Sequence, residues 1–417
     1  MFVHLDLGWM SHPFALSSFR IADASQIETI RSLGLARVRW SPQESDPAAL
    51  ANADTPVSKP AGESAAAPGH KLPPRPRDPV AEALAAQRAA VELCERQYGE
   101  AARSWRQAMD VALSDPQAAG QRMAALSRAL VDKMLGAREL SIRALAQTPG
   151  DRASHALNVG VIALLMGKQC GLPETDLQDL GVGALTHDVG KVELPHRLHK
   201  PDEHFTAAET ALYREHVALG VTLGRRMGLS PGALLVIAQH HEHCDGSGFP
   251  QGLDVNRMSV AARMAALVNR YDNLCHPANI EQALTPHAAL SLLFTQGQSS
   301  YDAAILSTFV RMMGVYPPGS VVQLTDDRFA VVESVNAARP LKPKVMAYDP
   351  RVARDEALLL DLASEPHLGI RRSLHAAQLP RPVADFLAPR ARVSWFFETI
   401  DADLDDRADD GTDNTRH

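Results

Sequence analysis

The stretch Thr186-His187-Asp188-Val189-Gly190-Lys191 decides the reading of this chain. It follows an apolar, helix-like run over residues 177–185. An imidazole beside a carboxylate suits metal binding, because the imidazole takes one ion and the carboxylate can bridge two. Lys191 lies four residues past His187, on the same face if the helix continues, where it can neutralise a phosphate oxygen or protonate a leaving oxygen. Other candidate groups flank this stretch. Upstream, Asp151 and His155 are four apart, which places a carboxylate and an imidazole on one helix face. Downstream, Thr206-Ala-Ala-Glu209 is a capping box that starts a helix ahead of His216. His240-His241 puts two imidazoles about 100° apart on a helix, suited to two ions or to an ion and a substrate. Asp245-Gly246-Ser247-Gly248-Phe249-Pro250 lets backbone N–H groups come close to an anion. Each piece alone has an ordinary explanation as a helix end, a cap or a turn. The series together points to a metal site, and eight of the 17 histidines fall between His187 and His243.

Composition bounds the rest. With 417 residues, two or three structural units are expected. Hydrophobic residues at 45% and charged residues at 22% are ordinary for a soluble globular protein. The longest apolar stretches, such as 159–166, fall far short of the roughly 20 residues a bilayer requires. Asp6 interrupts the first apolar stretch and no basic segment precedes it, which argues against a secretory leader. A cytoplasmic location without membrane association is expected. The net charge of −7 is concentrated beyond Glu398, so no basic face for long nucleic acid is implied. The four cysteines lack C-x-x-C spacing, which excludes a disulfide framework and a thiolate zinc site.

The pattern predicts a mainly α fold, a helical bundle with a small α+β N-terminal domain and a small C-terminal β appendage. Residues 1–45 alternate like strands around a helix at 24–33. Residues 46–80 are rich in Ala, Pro and Ser and read as a disordered linker. Residues 81–147 form a helical connector, with helices long enough to pair in a homodimer. Residues 148–316 are a metal-binding helical domain, with further helix starts at Ser230-Pro231 and Thr285-Pro286. Residues 317–397 are β-rich, and 398–417 form an acidic, disordered tail. Trp9, Trp40, Trp105 and Trp395 are expected in the core or at domain contacts.

The ordered set His155, His187-Asp188 with Lys191, His216, His240-His241 and Asp245-Gly-Ser-Gly-Phe-Pro250 resembles the HD-GYP family of HD-domain phosphohydrolases. The segment LPHRLHKPDEHFTAAE is similar to that family's link between the H-D pair and the next histidine. Residues 1–45, with HLDLGWMSHPF, look like the small domain that often precedes such a module. The resemblance implies hydrolysis of cyclic di-GMP to pGpG and GMP in bacterial second-messenger signalling, with two or three divalent ions, iron or manganese. It implies that His155, His187 and Asp188 hold one ion, with Asp188 bridging, and that His216, His240 and His241 hold the second. Asp151 takes the place of a glutamate found in three-metal members. Asp188 and Lys191 are the catalytic pair, and Gly246, Gly248, Phe249 and Pro250 shape the substrate mouth. Contact with a GGDEF-type diguanylate cyclase or another signalling protein is also implied.

Three departures from the family pattern stand out. Phe249 replaces a tyrosine and removes one hydroxyl. Asn269 stands where the family has an aspartate ligand, in Asn269-Arg270-Tyr271-Asp272-Asn273-Leu274, so Asp272 is either a substitute ligand or a supporting group. An Arg-Pro-Tyr stretch that grips the nucleotide is replaced by Cys275-His276-Pro277-Ala278-Asn279, with no basic residue at the matching place. Three readings stay open: an enzyme acting on cyclic di-GMP, a catalytically degenerate module that binds nucleotide or a signalling partner, and a phosphohydrolase of a different ester.

Overall fold

A computed structural model of the chain describes residues 78–147, 152–200 and 204–400, together with 1–5, 7–8, 12, 14, 18–21, 24–35, 37–41 and 45. Asp151, Trp9, most of the 46–80 linker and residues 401–417 lie outside the described residues. Near the N-terminus, β1 (Phe2–His4) is flanked by the antiparallel strands β2 (Ser18–Arg20) and β3 (Arg39–Ser41), accompanied by α1 (Ala24–Ser32). Val3, Leu5 and Ile30 form the small core of this unit. Strand β2 escapes sequence reading because three residues are too few to show alternation.

α2 (Pro79–Asp110) and α3 (Pro116–Gly136) pack together across the break at Ser114-Asp115-Pro116. Each starts the same way. Asp78 and Asp115 accept from backbone N–H groups of the first turn, and a proline follows at the first helical position. The helix therefore begins at Pro79, just inside the segment expected to be linker. Lys133 on α3 is fully buried, and its ammonium donates to the carbonyls of His12 at 2.8 Å and Phe14 at 2.5 Å. Burial pushes Lys133 down to about 8. This contact ties the N-terminal unit to the helices.

α4 (Arg152–Gln169) is apolar around most of its surface and sits at the centre of the bundle. Its crossing with α5 (Glu174–Thr186) is close at Gly160, where a Cβ would lie 2.8 Å from Leu185 Cδ2. α6 (Ala207–Arg214), α7 (His216–Arg226), α8 (Pro231–Gln239), α9 (Val260–Cys275), α10 (Pro286–Gln296) and α11 (Ala303–Met313) complete the helical part. The caps read from sequence at Thr206, Ser230 and Thr285 are all formed.

The second sheet follows the order β10 (Val393–Ile400), β4 (Glu139–Ala146), β6 (Phe329–Asn336), β5 (Val321–Leu324), β9 (Ile370–Leu374). β7 (Lys344–Ala347) and β8 (Leu360–Asp361) extend it beside β6, and α12 (Arg381–Leu387) precedes β10. Three sequence expectations are corrected here. The 81–147 connector ends in a strand, not a helix. Its Glu, Leu, Ala and Arg residues favour helix, but pairing with β10 along its whole length and with β6 overrides propensity. The 317–397 region is not wholly apart from the bundle: residues 321–387 build clusters of their own, but Trp395, Phe396 and Phe397 of β10, with Ile142 of β4, share one core with Leu157, Ile162 and Tyr271. The acidic tail begins later than 398, since Glu398 belongs to β10 and accepts from the buried Arg143 at 2.5 and 3.1 Å. The fold is mainly α. Trp105 and Trp395 are core residues as expected, whereas Trp40 is 37% exposed. Among the described residues, no helix is long and apolar enough to cross a membrane.

Candidate metal centre

Helix ends build the centre. The last turn of a helix leaves carbonyls without partners. His187, just past α5, turns its ring back so that Nδ1–H donates to Ala184 O at 2.7 Å. His240, just past α8, does the same to Ile237 O at 2.8 Å, and His216 does so to Tyr213 O at 2.6 Å. A carbonyl only accepts, so each Nδ1 holds the proton and each Nε2 presents a lone pair. His155 on α4 is held by a carboxylate instead, with Nδ1 at 2.6 Å from Asp272 Oδ2. The Nε2 atoms converge in pairs, 3.1 Å between His155 and His187 and 3.3 Å between His216 and His240. Lone pairs facing at such distances repel unless a cation lies near them.

Asp188 stands between the pairs. Its Oδ2 is 3.6 Å from His155 Nε2 and 3.5 Å from His187 Nε2, while Oδ1 is 3.5 Å from His216 Nε2 and 3.7 Å from His240 Nε2. The ligand atoms sort into two groups that share this carboxylate: His155, His187, Asp188, and Asp188, His216, His240, His241. Asp188 Oδ1 and His241 Nε2 are buried without hydrogen-bond partners among the described residues. Orphaned atoms beside converging lone pairs form an imidazole–carboxylate donor set, and these residues fit a pair of divalent ions.

The helix does not continue past His187. Asp188 opens a 3-10 turn, Val189–Glu193, which carries Lys191 round to Asp188 Oδ2 at 2.6 Å, with its ammonium 5.2 Å from the Tyr213 ring centroid. Gly190 is required in this turn, because a Cβ would fall 2.0 Å from His216 O. Burial opposes both charges of the Asp188–Lys191 pair, yet their attraction outweighs it, holding the carboxyl well below its usual range and the ammonium above its own. Burial pushes His216 down to about 3 and His240 down to about 4, so both are neutral ligands at neutral pH.

Asp272 stands outside both groups. It accepts from His155, from His276 Nδ1 at 2.9 Å and from Asn158 Nδ2 at 2.7 Å. Burial would raise its carboxyl, but His276 and His155 hold it far below the usual range. Its part is to orient His155. Asn269 Oδ1 accepts from Asn273 Nδ2 at 2.8 Å. The glycine-rich loop does not offer the expected free N–H groups. Gly246 N bonds His243 O, Ser247 N bonds Asp245 Oδ1 and Phe249 N bonds His241 O, at 2.9, 2.9 and 3.0 Å. The loop folds back on the histidine segment, so these three donors are spent internally. Phe249 stacks on His241 at 4.4 Å between centroids, and Arg214 lies 4.9 Å over the Phe249 ring. Gly248, Phe249 and Asn269 line a cavity of about 560 Å³ on the His240 side, and Gly246 and Pro250 do not. A second cavity, of about 370 Å³, opens on the His155 side. Sequence reasoning misses Asn158 and His276, although Asn158 lies three past His155 and His276 four past Asp272, spacings that share a helix face.

Residues 139–305 match the family described as HD domain, and residues 1–122 match a domain of unknown function, DUF3391. The chain is 29% identical over 197 residues to the cyclic di-GMP phosphodiesterase PA4108 of Pseudomonas aeruginosa, covering 46% of this chain and 47% of that one. It is 27% identical over 172 residues to the cyclic di-GMP phosphodiesterase response regulator RpfG of Xanthomonas campestris, covering 40% and 45%. A solved structure of Bd1817, a HDG"Y"P protein from Bdellovibrio bacteriovorus, aligns with TM-score 0.40 at 18% identity, covering 51% of this chain and 68% of that one. The chain spans about half the length of the curated relatives it matches. It carries an HD domain behind a DUF3391 region.

Proposed function

We propose that this HD-domain chain is a metal-dependent phosphodiesterase that hydrolyses cyclic di-GMP to pGpG and GMP in second-messenger signalling. Asp188 carries the reading, because its two oxygens face two separate histidine groups. Two divalent ions bound there would offset phosphate charge and lower the pKa of an attacking water. The protein's own residues supply the rest. His155, His187, His216 and His240 keep their lone pairs turned inward through fixed Nδ1 protons. Lys191, charged beside Asp188, holds a proton within reach of a leaving oxygen. Arg214, seated over Phe249, offers a guanidinium plane to a base in the cavity on the His240 side. The names of the relatives support cyclic di-GMP as the substrate. A reading as a module without activity is not favoured, since the relatives the chain resembles carry the names of active phosphodiesterases.

Iron or manganese is the metal we assign, with Asp151 as the carboxylate that would serve a third ion. The setting is the cytoplasm, with a GGDEF-type diguanylate cyclase as protein partner and α2 as the surface of a homodimer.

The test is turnover of cyclic di-GMP by protein purified anaerobically and loaded with Fe(II) or Mn(II), against the double variant His187→Ala, Asp188→Ala. Metal-dependent pGpG or GMP, absent from the control, is expected. Bound metal without product would overturn the substrate, and absence of both would overturn the enzyme.

A further inference from the structure

The cavity on the His155 side gathers more positive charge than its own carboxylates balance. Asp188 is paired with Lys191, and Asp272 is taken up by His155, His276 and Asn158. Arg197 is paired with Glu209, which leaves three lining cations, Arg152, Lys200 and Arg392, and none of these has a carboxylate of the described residues at ion-pair distance. They come from the start of α4, from the loop after the 3-10 turn His196–Leu198, and from the residue ahead of β10. Partial burial, then Arg392, lower the Lys200 ammonium from its usual value against the pull of Asp272, so Lys200 and Arg392 feel one another. Arg392 reaches the cavity from a sequence distance of 115 residues, its Nη2 donating to Pro277 O at 3.2 Å. Residues 275–279 carry no lysine or arginine of their own. Arg152 and Lys200 are exposed and Arg392 is half-buried, so the three stand where an anion entering from solvent meets them first.

We propose that Arg392, with Lys200 and Arg152, forms a phosphate subsite that binds the phosphodiester not undergoing cleavage. This rests on the reading of the substrate as a cyclic dinucleotide, which carries two phosphodiesters: one reacts at Asp188 and the other lies among these cations. The guanidinium fork of Arg392 suits two phosphate oxygens at once. The subsite selects ligands with two phosphates over simple diesters.

The test uses the full chain loaded with metal, and the variants Arg392→Gln and Lys200→Gln made separately. KM and kcat are measured on cyclic di-GMP, and dissociation constants on cyclic di-GMP and on inorganic pyrophosphate. In each variant, KM and both dissociation constants rise about tenfold, with kcat changed less than about threefold, and Arg392→Lys recovers part of the loss. Metal content and Trp395 emission report that the fold survives. Wild-type protein that binds cyclic di-GMP without cleaving it overturns the phosphodiesterase reading, while weaker titrations in the Gln variants still uphold the subsite. Binding of pyrophosphate alone, weakened in those variants, upholds a phosphate subsite and overturns the cyclic dinucleotide. Titrations unchanged in both Gln variants overturn the subsite, as does a fall in kcat at constant KM. Failure of either ligand to bind wild-type protein overturns both readings.

Discussion

The two histidine groups around Asp188 differ in how one imidazole is steadied: His187 is held by a carbonyl three residues back, like the histidines opposite it, whereas His155 is not. His216 and His240 take their orientation from carbonyls three residues back along the chain. His155 takes its orientation from Asp272, which is itself held by Asn158 and His276. Those two residues bond the backbone of β10: Trp395 N–H donates to Asn158 Oδ1 at 2.9 Å, and Val393 N–H donates to His276 Nε2 at 3.2 Å. One side of the centre is finished by local helix termination. The other is finished by a strand 237 residues downstream of Asn158. Local orientation is robust to change elsewhere, whereas the carboxylate-held side shares the fate of the C-terminal sheet.

Four measurements would break or sharpen this contrast. The largest effect is expected for Asp188→Asn, which removes the ligand common to both sides. Metal content should fall for both ions and kcat by about a thousandfold or more. Retention of one ion at full occupancy would show that the carboxylate is not shared. Asp272→Asn should act on the His155 side alone, loosening one ion by about 10–100-fold while the other stays, as read by chelator competition. Equal loosening of both ions would dissolve the distinction. His276→Ala leaves the Val393 N–H without its partner and should cost about 1–3 kcal/mol in denaturant melts, with a smaller loosening of the same ion.

The smallest effect at neutral pH belongs to the locally held side. Burial pushes His216 down to about 3 and His240 down to about 4 in the fold, against about 6.5 in an unfolded chain. The unfolded chain therefore takes up protons first as pH falls. Stability from these two residues is whole above about 6.5 and is lost progressively as pH falls, down to about 4 for His240 and about 3 for His216. The Tm of metal-free protein should decline across that window, and His216→Gln should decline less steeply. An unchanged slope would place the titration elsewhere.

The locally built side was also the legible one. Thr206, Ser230 and Thr285 announce helix starts through side chains that reach only three residues ahead. His187-Asp188 and His240-His241 sit at helix ends, where adjacent residues can serve different partners. What stayed hidden is non-local. Glu139–Ala146 reads as helix because its strand character comes from β10 and β6, not from its own composition. Asp272 could be either ligand or support until His276 and Asn158 were placed around it. The loop at 245–250 advertises free N–H groups, but whether they face outward depends on how it folds against His241 and His243. Arg392 has no local signature, because its significance lies in the segment it meets at Pro277.

Strand β10 also fixes when a growing chain becomes competent. A ribosome that has passed His241 has delivered all five imidazoles of the centre, yet the strand that steadies the first of them is still unmade. Until Val393 and Trp395 emerge, β4 presents an open edge able to pair with another nascent chain. Arrest or premature termination before that point leaves a histidine-rich fragment prone to wrong pairing, not a weaker version of the same catalyst. Readiness arrives late in synthesis, with the strand that closes the sheet and fixes His155 together.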